Sequence, residues 1–174
     1  MPEILEAEAA RALIEQRALH REIAKVHAPD AWFLKRGLTP RAVRAALTGE
    51  QLVTARRRGK LMLIDTAPAS VDERERGALG PVLAMHLGMS GRVLIDGEAA
   101  GDPLLYASNR PERAWHRFGL TFVDGGSLYL RDPRRLGAVE LDPDEDRLGP
   151  DAFHITLAEV RVMTAKCRAP IKAM

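Results

Sequence analysis

The stretch LTFVDGGSLYLRDPRRLGAVEL, residues 120–141, decides the fold class. It contains short apolar or alternating runs of the length typical of β-strands, and Asp124-Gly125-Gly126 is a turn sequence between two of them. Six such runs occur in the chain, at 61–64, 82–85, 92–95, 120–123, 128–130 and 139–141. Six or more short strands at this spacing predict a sandwich or a barrel.

Helical patterns precede the β-rich region. In residues 3–19, apolar side chains recur at three- and four-residue spacing, which predicts a helix with one buried face. These side chains are Ile4, Leu5, Ala7, Ala12, Leu13 and Leu19. A short strand is expected at 22–27. Thr39-Pro40 is typical of a helix start, because a capping residue is followed by proline, and it predicts a helix to Leu47.

The best linker candidate is the segment 142–155, which is acidic at its start and contains Pro143, Gly149 and Pro150. Helical spacing returns at 156–167. The expected organisation is a first domain at 1–141, a linker at 142–155 and the beginning of a helical domain at 156–174. Because 169–174 resembles a first helical turn, we expect the chain to be the N-terminal part of a longer protein.

The composition is typical of one globular domain. The 174 residues are 46% hydrophobic and 29% charged, and the formal net charge of +2 does not by itself indicate nucleic acid. Cations are instead concentrated at 56–60 and 131–135. The single cysteine, Cys167, excludes an internal disulfide and cannot form a zinc site alone. Without a long apolar run or a signal peptide, a cytoplasmic protein with no membrane partner is expected.

Pro2 and Glu3 form a candidate reactive centre. The residue after Met1 is small, so removal of Met1 is expected to leave a secondary amine at the N-terminus. An α-amino group titrates near ~8 and is partly an uncharged nucleophile at neutral pH. With an aldehyde carbon, a secondary amine gives an iminium, which is an electron sink for elimination. The Glu3 carboxyl is one residue away and could transfer protons. By itself, the dipeptide is also typical of an ordinary exposed N-terminus.

Further motifs change that interpretation. They are Glu6 after Pro2-Glu3, Arg58-Gly59-Lys60, HLGMSG at 86–91, DPRRLG at 132–137 and Leu148-Gly149-Pro150. In this order and spacing they resemble the formamidopyrimidine-DNA glycosylase / endonuclease VIII family of base-excision repair enzymes, from residue 2 to about residue 172. The resemblance implies an α+β fold, with an N-terminal helix packed on a β-sandwich of about eight strands. The start of an all-α helix–two-turn–helix domain would follow.

The resemblance also implies a bifunctional DNA glycosylase and AP lyase, acting as a monomer on double-stranded DNA that contains damaged bases or abasic sites. Pro2 would attack C1′ and expel the base, Glu3 would protonate the deoxyribose ring oxygen, and Lys60 would assist strand cleavage near the phosphates. Glu6, His86 and Lys172 would support them. For Lys60, a solvated lysine at a strand edge is the alternative, and for His86 a structural histidine.

Six residues are implied to contact DNA: Met89, His116, Arg134, Arg135, Leu136 and Arg168. Met89, Arg134 and Leu136 would fill the space left by a flipped-out nucleotide, because chemistry on a base requires its removal from the stack. Alternatives are core packing for Met89 and an ion pair with Asp132 for Arg134. Arg56 and Arg57 are expected to contact phosphates if they contact DNA.

Some features depart from the family pattern. Leu5 replaces a second proline, and Leu136 replaces a phenylalanine, which leaves the preference for the opposite base open. The 174 residues encode no cofactor site. The resemblance implies a structural zinc only if a C-terminal segment exists beyond Met174. A non-catalytic DNA-binding relative, an inactive N-terminal fragment and an unrelated enzyme with an N-terminal proline base are the alternatives. The choice between oxidised purines and pyrimidines stays open.

Overall fold

A computed structural model of the protein describes residues 2–70, 77–102, 108 and 110–165. Its helices are α1 (Ile4–Arg17), α2 (Pro40–Leu47) and α3 (Leu157–Thr164). Its strands are β1 (Ile23–His27), β2 (Glu50–Arg58), β3 (Leu61–Pro68), β4 (Val82–His86), β5 (Arg92–Ile95), β6 (Glu98–Ala99), β7 (His116–Phe122), β8 (Ser127–Arg131) and β9 (Ala138–Leu141). Short 3₁₀ turns lie at Ala31–Phe33, Arg113–Trp115 and Glu145–Arg147.

The strands form two antiparallel sheets around one core. One sheet has the order β1-β7-β8-β5-β6 and the other β2-β3-β4-β9. Both contribute buried side chains to a single cluster, including Phe118 and Phe122 from the first sheet and Met62 and Met85 from the second. The predicted helix and β-sandwich are therefore confirmed, and the described residues contain nine strands where about eight were expected.

Helix α1 packs on β2, β3 and β5 through a narrow stripe of small side chains. Ala7, Ala10 and Ile14 are buried, whereas Leu5 is 71% exposed. The predicted helix is confirmed, but Leu5 is wrong as a member of its buried face. Alanine contributes little to an apolar pattern, yet its short side chain lets the helix backbone approach the sheet closely.

Strand β2 was missed as an apolar run because it ends in three consecutive arginines, Arg56 to Arg58. It pairs with β3 along its length and reaches Arg58 opposite Leu61. The two residues between them, Gly59 and Lys60, form the hairpin turn. Gly59 has a φ of 60°, in the left-handed region that favours glycine, so the turn closes without strain. Lys60 consequently lies at the tip of the hairpin.

The three arginines of β2 bind the segment 142–155, which was predicted to be a linker. Arg56 pairs with Asp65 at 2.7 Å and Glu145 at 2.9 Å, and Arg58 Nε donates to the Gly149 carbonyl at 2.9 Å. The segment is therefore held along the hairpin. The domain boundaries assigned from the sequence stay a prediction.

Arg57 is at the centre of this contact. Its guanidinium is 2.8 Å from a Glu8 oxygen on α1 and 2.5 Å from an Asp151 oxygen, and its side chain is 3% exposed. The phosphate contact expected of Arg57 is therefore wrong, because the guanidinium is buried between two carboxylates. Arg56 is likewise committed to two carboxylates. Carboxylates therefore balance the charge of both arginines, which gives Arg56 and Arg57 a structural role.

Asp151 is bound from the hairpin as well. The Gly59 N–H donates to it at 2.7 Å, and Arg57 contacts the same oxygen. Burial acts to raise the pKa of Asp151, but these donors outweigh it and hold the pKa at about 2. A carboxylate from the segment after the sandwich thus fixes the turn that carries Lys60.

Helix α3 begins with a capping box. Glu159 N–H donates to Thr156 Oγ1 at 3.2 Å, and Thr156 N–H donates to Glu159 Oε2 at 2.7 Å. The helix predicted from 156 is confirmed and ends at Thr164. Arg168 and Lys172 lie outside the described residues.

Within the described ranges, the helices are too short or too polar to cross a membrane.

Replacing Arg57 tests this buried network. We expect Arg57→Met to lower the free energy of unfolding by about 3–5 kcal/mol, because Asp151 loses its cation while it stays buried. Arg36→Met is the matched control, since Arg36 pairs with Glu140 at 2.6 Å with its side chain half exposed, and it should cost at most about 1 kcal/mol. Denaturant unfolding of the full-length protein measures both; equal losses would contradict the account.

The network also predicts a pH dependence. The folded-state pKa of Asp151 is about 2 against an ordinary 3.8, so its stabilising contribution is complete above about pH 4 and is lost as the pH falls toward 2. In Arg57→Met this pH dependence should be weaker, because the cation that depresses the pKa is gone.

Candidate active site

The N-terminus of α1 meets the tip of the β2–β3 hairpin. Lys60 Nζ lies 2.5 Å from Glu3 Oε2, and both side chains are partly exposed. The Glu3 N–H donates to Glu6 Oε2 at 2.8 Å, so Glu6 caps the helix rather than entering the ion pair. That hydrogen bond from Glu3 is the main reason why the pKa of Glu6 is lowered.

Pro2 is buried beside this ion pair. A small recess there is lined by Pro2, Glu3, Ala7, Lys60, His86, Leu87 and Gly88. The structure therefore brings together the three predicted catalytic residues from two distant parts of the chain. Glu6 supports the recess through the helix cap.

His86, at the end of β4, forms the opposite side of the recess. Its Nδ1 accepts a hydrogen bond from the Gly88 N–H at 3.0 Å. Burial is the main cause that lowers the pKa of His86, and the charge of Lys60 lowers it further. A neutral imidazole that accepts at Nδ1 carries its proton on Nε2. With Nδ1 occupied in this way, Nε2 is the ring atom of His86 that can donate.

Met89, Arg134 and Leu136, the residues predicted to fill the space of a flipped-out nucleotide and here called the wedge, lie on two neighbouring loops. Met89, between β4 and β5, is 39% exposed, and Leu136, between β8 and β9, is 48% exposed. Core packing, the alternative for Met89, is therefore wrong. Arg134 is also exposed, and its one hydrogen bond among the described residues is made by its backbone N–H, not by its guanidinium. All three side chains remain available for contact.

The two loops touch through their backbones. A Cβ atom added at Gly88 would lie 2.3 Å from the Leu136 carbonyl carbon, and one at Gly137 would lie 2.7 Å from the His86 carbonyl oxygen. Only glycine permits this approach, and Gly88 also has a φ of 61°. Met89 and Leu136 therefore extend from adjacent positions beside the recess.

Asp132 contacts Arg134 differently from the ion pair considered in the sequence analysis. It is buried and accepts the backbone N–H of Arg134 at 3.1 Å. Ser90 and Asp132 lie in the quoted motifs but received no role there. An aspartate whose carboxylate meets N–H groups two or more residues later forms an Asx-type turn, and this pattern was available in the sequence.

The other two predicted DNA contacts within the described residues, His116 and Arg135, line one groove. His116 stacks on Tyr129 with ring centroids 4.4 Å apart. Its pKa is lowered chiefly by burial and also by neighbouring positive groups. Arg135 donates to Asp30 through Nε at 2.6 Å and Nη2 at 2.7 Å. Asp30 was missed by the sequence analysis, because no local pattern links it to a residue 105 positions away.

The described part of the chain contains no group of three His, Cys, Asp or Glu side chains that could hold a metal ion. The groups that line the recess are the Pro2 ring, the Glu3–Lys60 carboxylate–ammonium pair and the His86 imidazole.

Comparison with known proteins identifies the family of the chain. Residues 1–139 match the family model of the formamidopyrimidine-DNA glycosylase N-terminal domain. A formamidopyrimidine-DNA glycosylase of Cereibacter sphaeroides is 35% identical over 83% of this chain and 46% of its own length. That of Paracoccus denitrificans is 33% identical over 99% of this chain and 59% of its own length. The chain thus spans about half the length of these relatives.

Solved structures share the fold. Lactococcus lactis Fpg in complex with abasic-site DNA matches with a TM-score of 0.60 at 22% identity, over 83% of this chain and 46% of that chain. The same enzyme with N7-benzyl-Fapy-dG DNA matches with a TM-score of 0.58 at 22% identity, over 80% of this chain and 43% of that chain. On the family model and the sequence relatives together, the chain belongs to the formamidopyrimidine-DNA glycosylase family.

Proposed function

We propose that this protein is a bifunctional DNA glycosylase and AP lyase of base-excision repair. One observation carries the proposal: Pro2, Glu3 and Lys60 line a single recess, where Lys60 Nζ is 2.5 Å from Glu3 Oε2. The relatives named formamidopyrimidine-DNA glycosylase support it. The substrate is double-stranded DNA with a damaged base or an abasic site.

The reaction begins at the Pro2 amine, which is free after removal of Met1. The amine attacks C1′ of the damaged nucleotide, the bond from C1′ to the base breaks, and the base departs with the proton that the Pro2 nitrogen gives up. Glu3 protonates the deoxyribose ring oxygen, so that the sugar opens and C1′ becomes an iminium with the Pro2 nitrogen. Because a secondary amine leaves no proton on this iminium, it stays cationic at any pH.

Strand cleavage follows by elimination. The Glu3 carboxylate, which has given its proton to the ring oxygen, takes a proton from C2′. The electron pair of that C–H bond moves toward the iminium, the C3′–O bond breaks, and the 3′-phosphate leaves. The Lys60 ammonium is held next to Glu3 and stabilises negative charge on the departing base in the first step and on the phosphate in the second. Water then hydrolyses the Pro2 adduct and regenerates the amine. Lys60 therefore acts electrostatically and Glu3 in proton transfer.

The exposed loops next to the recess carry side chains that could fill the gap that base flipping leaves in the duplex. A flipped nucleotide leaves a gap in the duplex, and an apolar wedge with a cation fills such a gap. Met89 and Leu136 provide apolar surface, and Arg134 provides the cation. Each is exposed in the structure, as a wedge in the DNA-free protein must be.

Covalent trapping tests the nucleophile. Borohydride reduction during reaction with abasic-site DNA should link the full-length protein to DNA through Pro2, because the reagent reduces the iminium to a stable amine. Pro2→Gly should slow trapping severely, whereas Lys25→Ala, at an exposed lysine of β1, should leave it unchanged. Peptide mapping that finds efficient linkage at an internal lysine, with Pro2 dispensable, would refute the mechanism. Normal DNA binding without any trapping would favour a non-catalytic relative.

A second test separates the two chemical steps. Glu3→Gln should slow both base excision and abasic-site cleavage by about 10²–10⁴-fold, because ring opening precedes the iminium. Lys60→Ala should impair excision from damaged-base DNA more than cleavage at a preformed abasic site, because base release makes the greater electrostatic demand. Single-turnover rates on both substrates measure this. Normal rates for Glu3→Gln would exclude its role as general acid.

A third test concerns the wedge. Arg134→Ala and Met89→Ala should weaken binding to lesion DNA more than to undamaged duplex, since only lesion DNA offers a gap, and unstacking costs on the order of a few kcal/mol. Leu136→Phe should tighten lesion binding and change the ranking of opposite bases. Arg36→Ala is the control arginine. Equal losses on both duplexes would reduce the wedge to ordinary backbone binding.

A further inference from the structure

We infer that the hydrogen bond between Ser90 and Asp132 joins the Met89 loop and the Arg134–Leu136 loop into one rigid unit, so that their side chains enter DNA together. Ser90 and Asp132 are then positioning residues, which act through Met89 and Arg134 without touching DNA. The inference rests on the proposed function and adds to it the coupling between the two loops.

The Asp132 carboxylate is completely enclosed, and both of its oxygens have two donors. Oδ1 accepts from Ser90 Oγ at 2.5 Å and from Arg134 N–H at 3.1 Å. Oδ2 accepts from Leu136 N–H at 2.8 Å and from Gly137 N–H at 2.7 Å. Burying a carboxylate costs free energy unless it is hydrogen-bonded. The four hydrogen bonds therefore favour an arrangement in which both loops are held to the Asp132 carboxylate.

The position of Asp132 is itself fixed by the sheet. Its backbone N–H donates to the Trp115 carbonyl at 2.8 Å, and Arg117 Nε donates to its carbonyl at 2.9 Å. Both partners belong to β7 or the turn before it. The carboxylate therefore does not move with the loop tips, and it is a suitable anchor for both.

Ser90 is the single side chain that carries the anchor across to the other loop. It is completely buried, directly after the exposed Met89. Removing its hydroxyl leaves Asp132 with its three backbone donors, so the Arg134–Leu136 loop keeps its own hydrogen bonds. Ser90→Ala therefore separates coupling from the integrity of either loop.

The test is a double-mutant cycle in the full-length protein. Affinity for a duplex with a stable abasic-site analogue is measured for the Met89→Ala, Arg134→Ala and double variants. Since the two side chains enter as a unit, the double variant should lose less than the product of the single losses. The loss of affinity in the double variant should be about 5-fold smaller than the product of the two single losses, and this difference is called the shortfall. It lies within the range of measured pairwise couplings.

The same cycle in the Ser90→Ala background should give a clearly smaller shortfall, at most about 2-fold, because only the backbone contact between Gly88 and Leu136 then joins the loops. Thr66→Val is the matched control, because Thr66 is also a buried hydroxyl, donating to the Pro81 carbonyl at 2.7 Å away from the loops. It should keep the wild-type coupling. A merely structural role for Ser90 would lower affinity without changing the coupling.

Unchanged coupling in Ser90→Ala, or an equal decrease in Thr66→Val, would overturn the inference. If Ser90→Ala does not fold, Ser90→Cys replaces it as a size-matched weaker donor; an intermediate coupling supports the inference and a wild-type coupling overturns it. Failure of the wild-type protein to prefer the abasic duplex over an intact one would instead overturn the proposed function, and this inference with it.

Discussion

The buried guanidinium of Arg57 holds together three parts of the chain that are far apart in sequence. It binds Glu8 of α1 on one side and Asp151 of the segment after the sandwich on the other, and it belongs to the hairpin itself. Lys60 lies three residues beyond Arg57, and Glu3 lies five residues before Glu8. The distance between the Glu3 and Lys60 side chains is therefore set by a contact that is shielded from water and cannot be replaced by solvent.

The recess and the wedge are both supported by an aspartate that binds backbone N–H groups next to exposed functional side chains. These aspartates are Asp151 and Asp132. Beneath the recess, Asp151 binds the hairpin turn through the Gly59 N–H. Beneath the wedge, Asp132 binds the loop backbone. Rigid support of this kind holds the exposed side chains of Lys60 and Met89 in place for the approach of a duplex.

Much of the fold followed from local sequence, because Asp-Gly turns and short apolar runs report strand ends directly, as at 124–126. The capped start of α2 and the helical spacing of α3 were equally visible. The buried face of α1 was mispredicted since alanine gives a weak apolar pattern, and β2 was missed because its arginines hide the strand. The phosphate role given to Arg57 failed for a different reason: its partners are 49 and 94 residues away.

The central claim, that the Pro2 amine reacts inside the recess formed with Glu3 and Lys60, is tested most directly by one crystal structure. The full-length protein would be reduced with borohydride onto an abasic-site duplex and crystallised. We expect continuous density from the Pro2 nitrogen to C1′, with Lys60 against the adjacent phosphate and Met89 in the space left in the base stack. A bond from C1′ to a lysine side chain, or a sugar outside this recess, would contradict it.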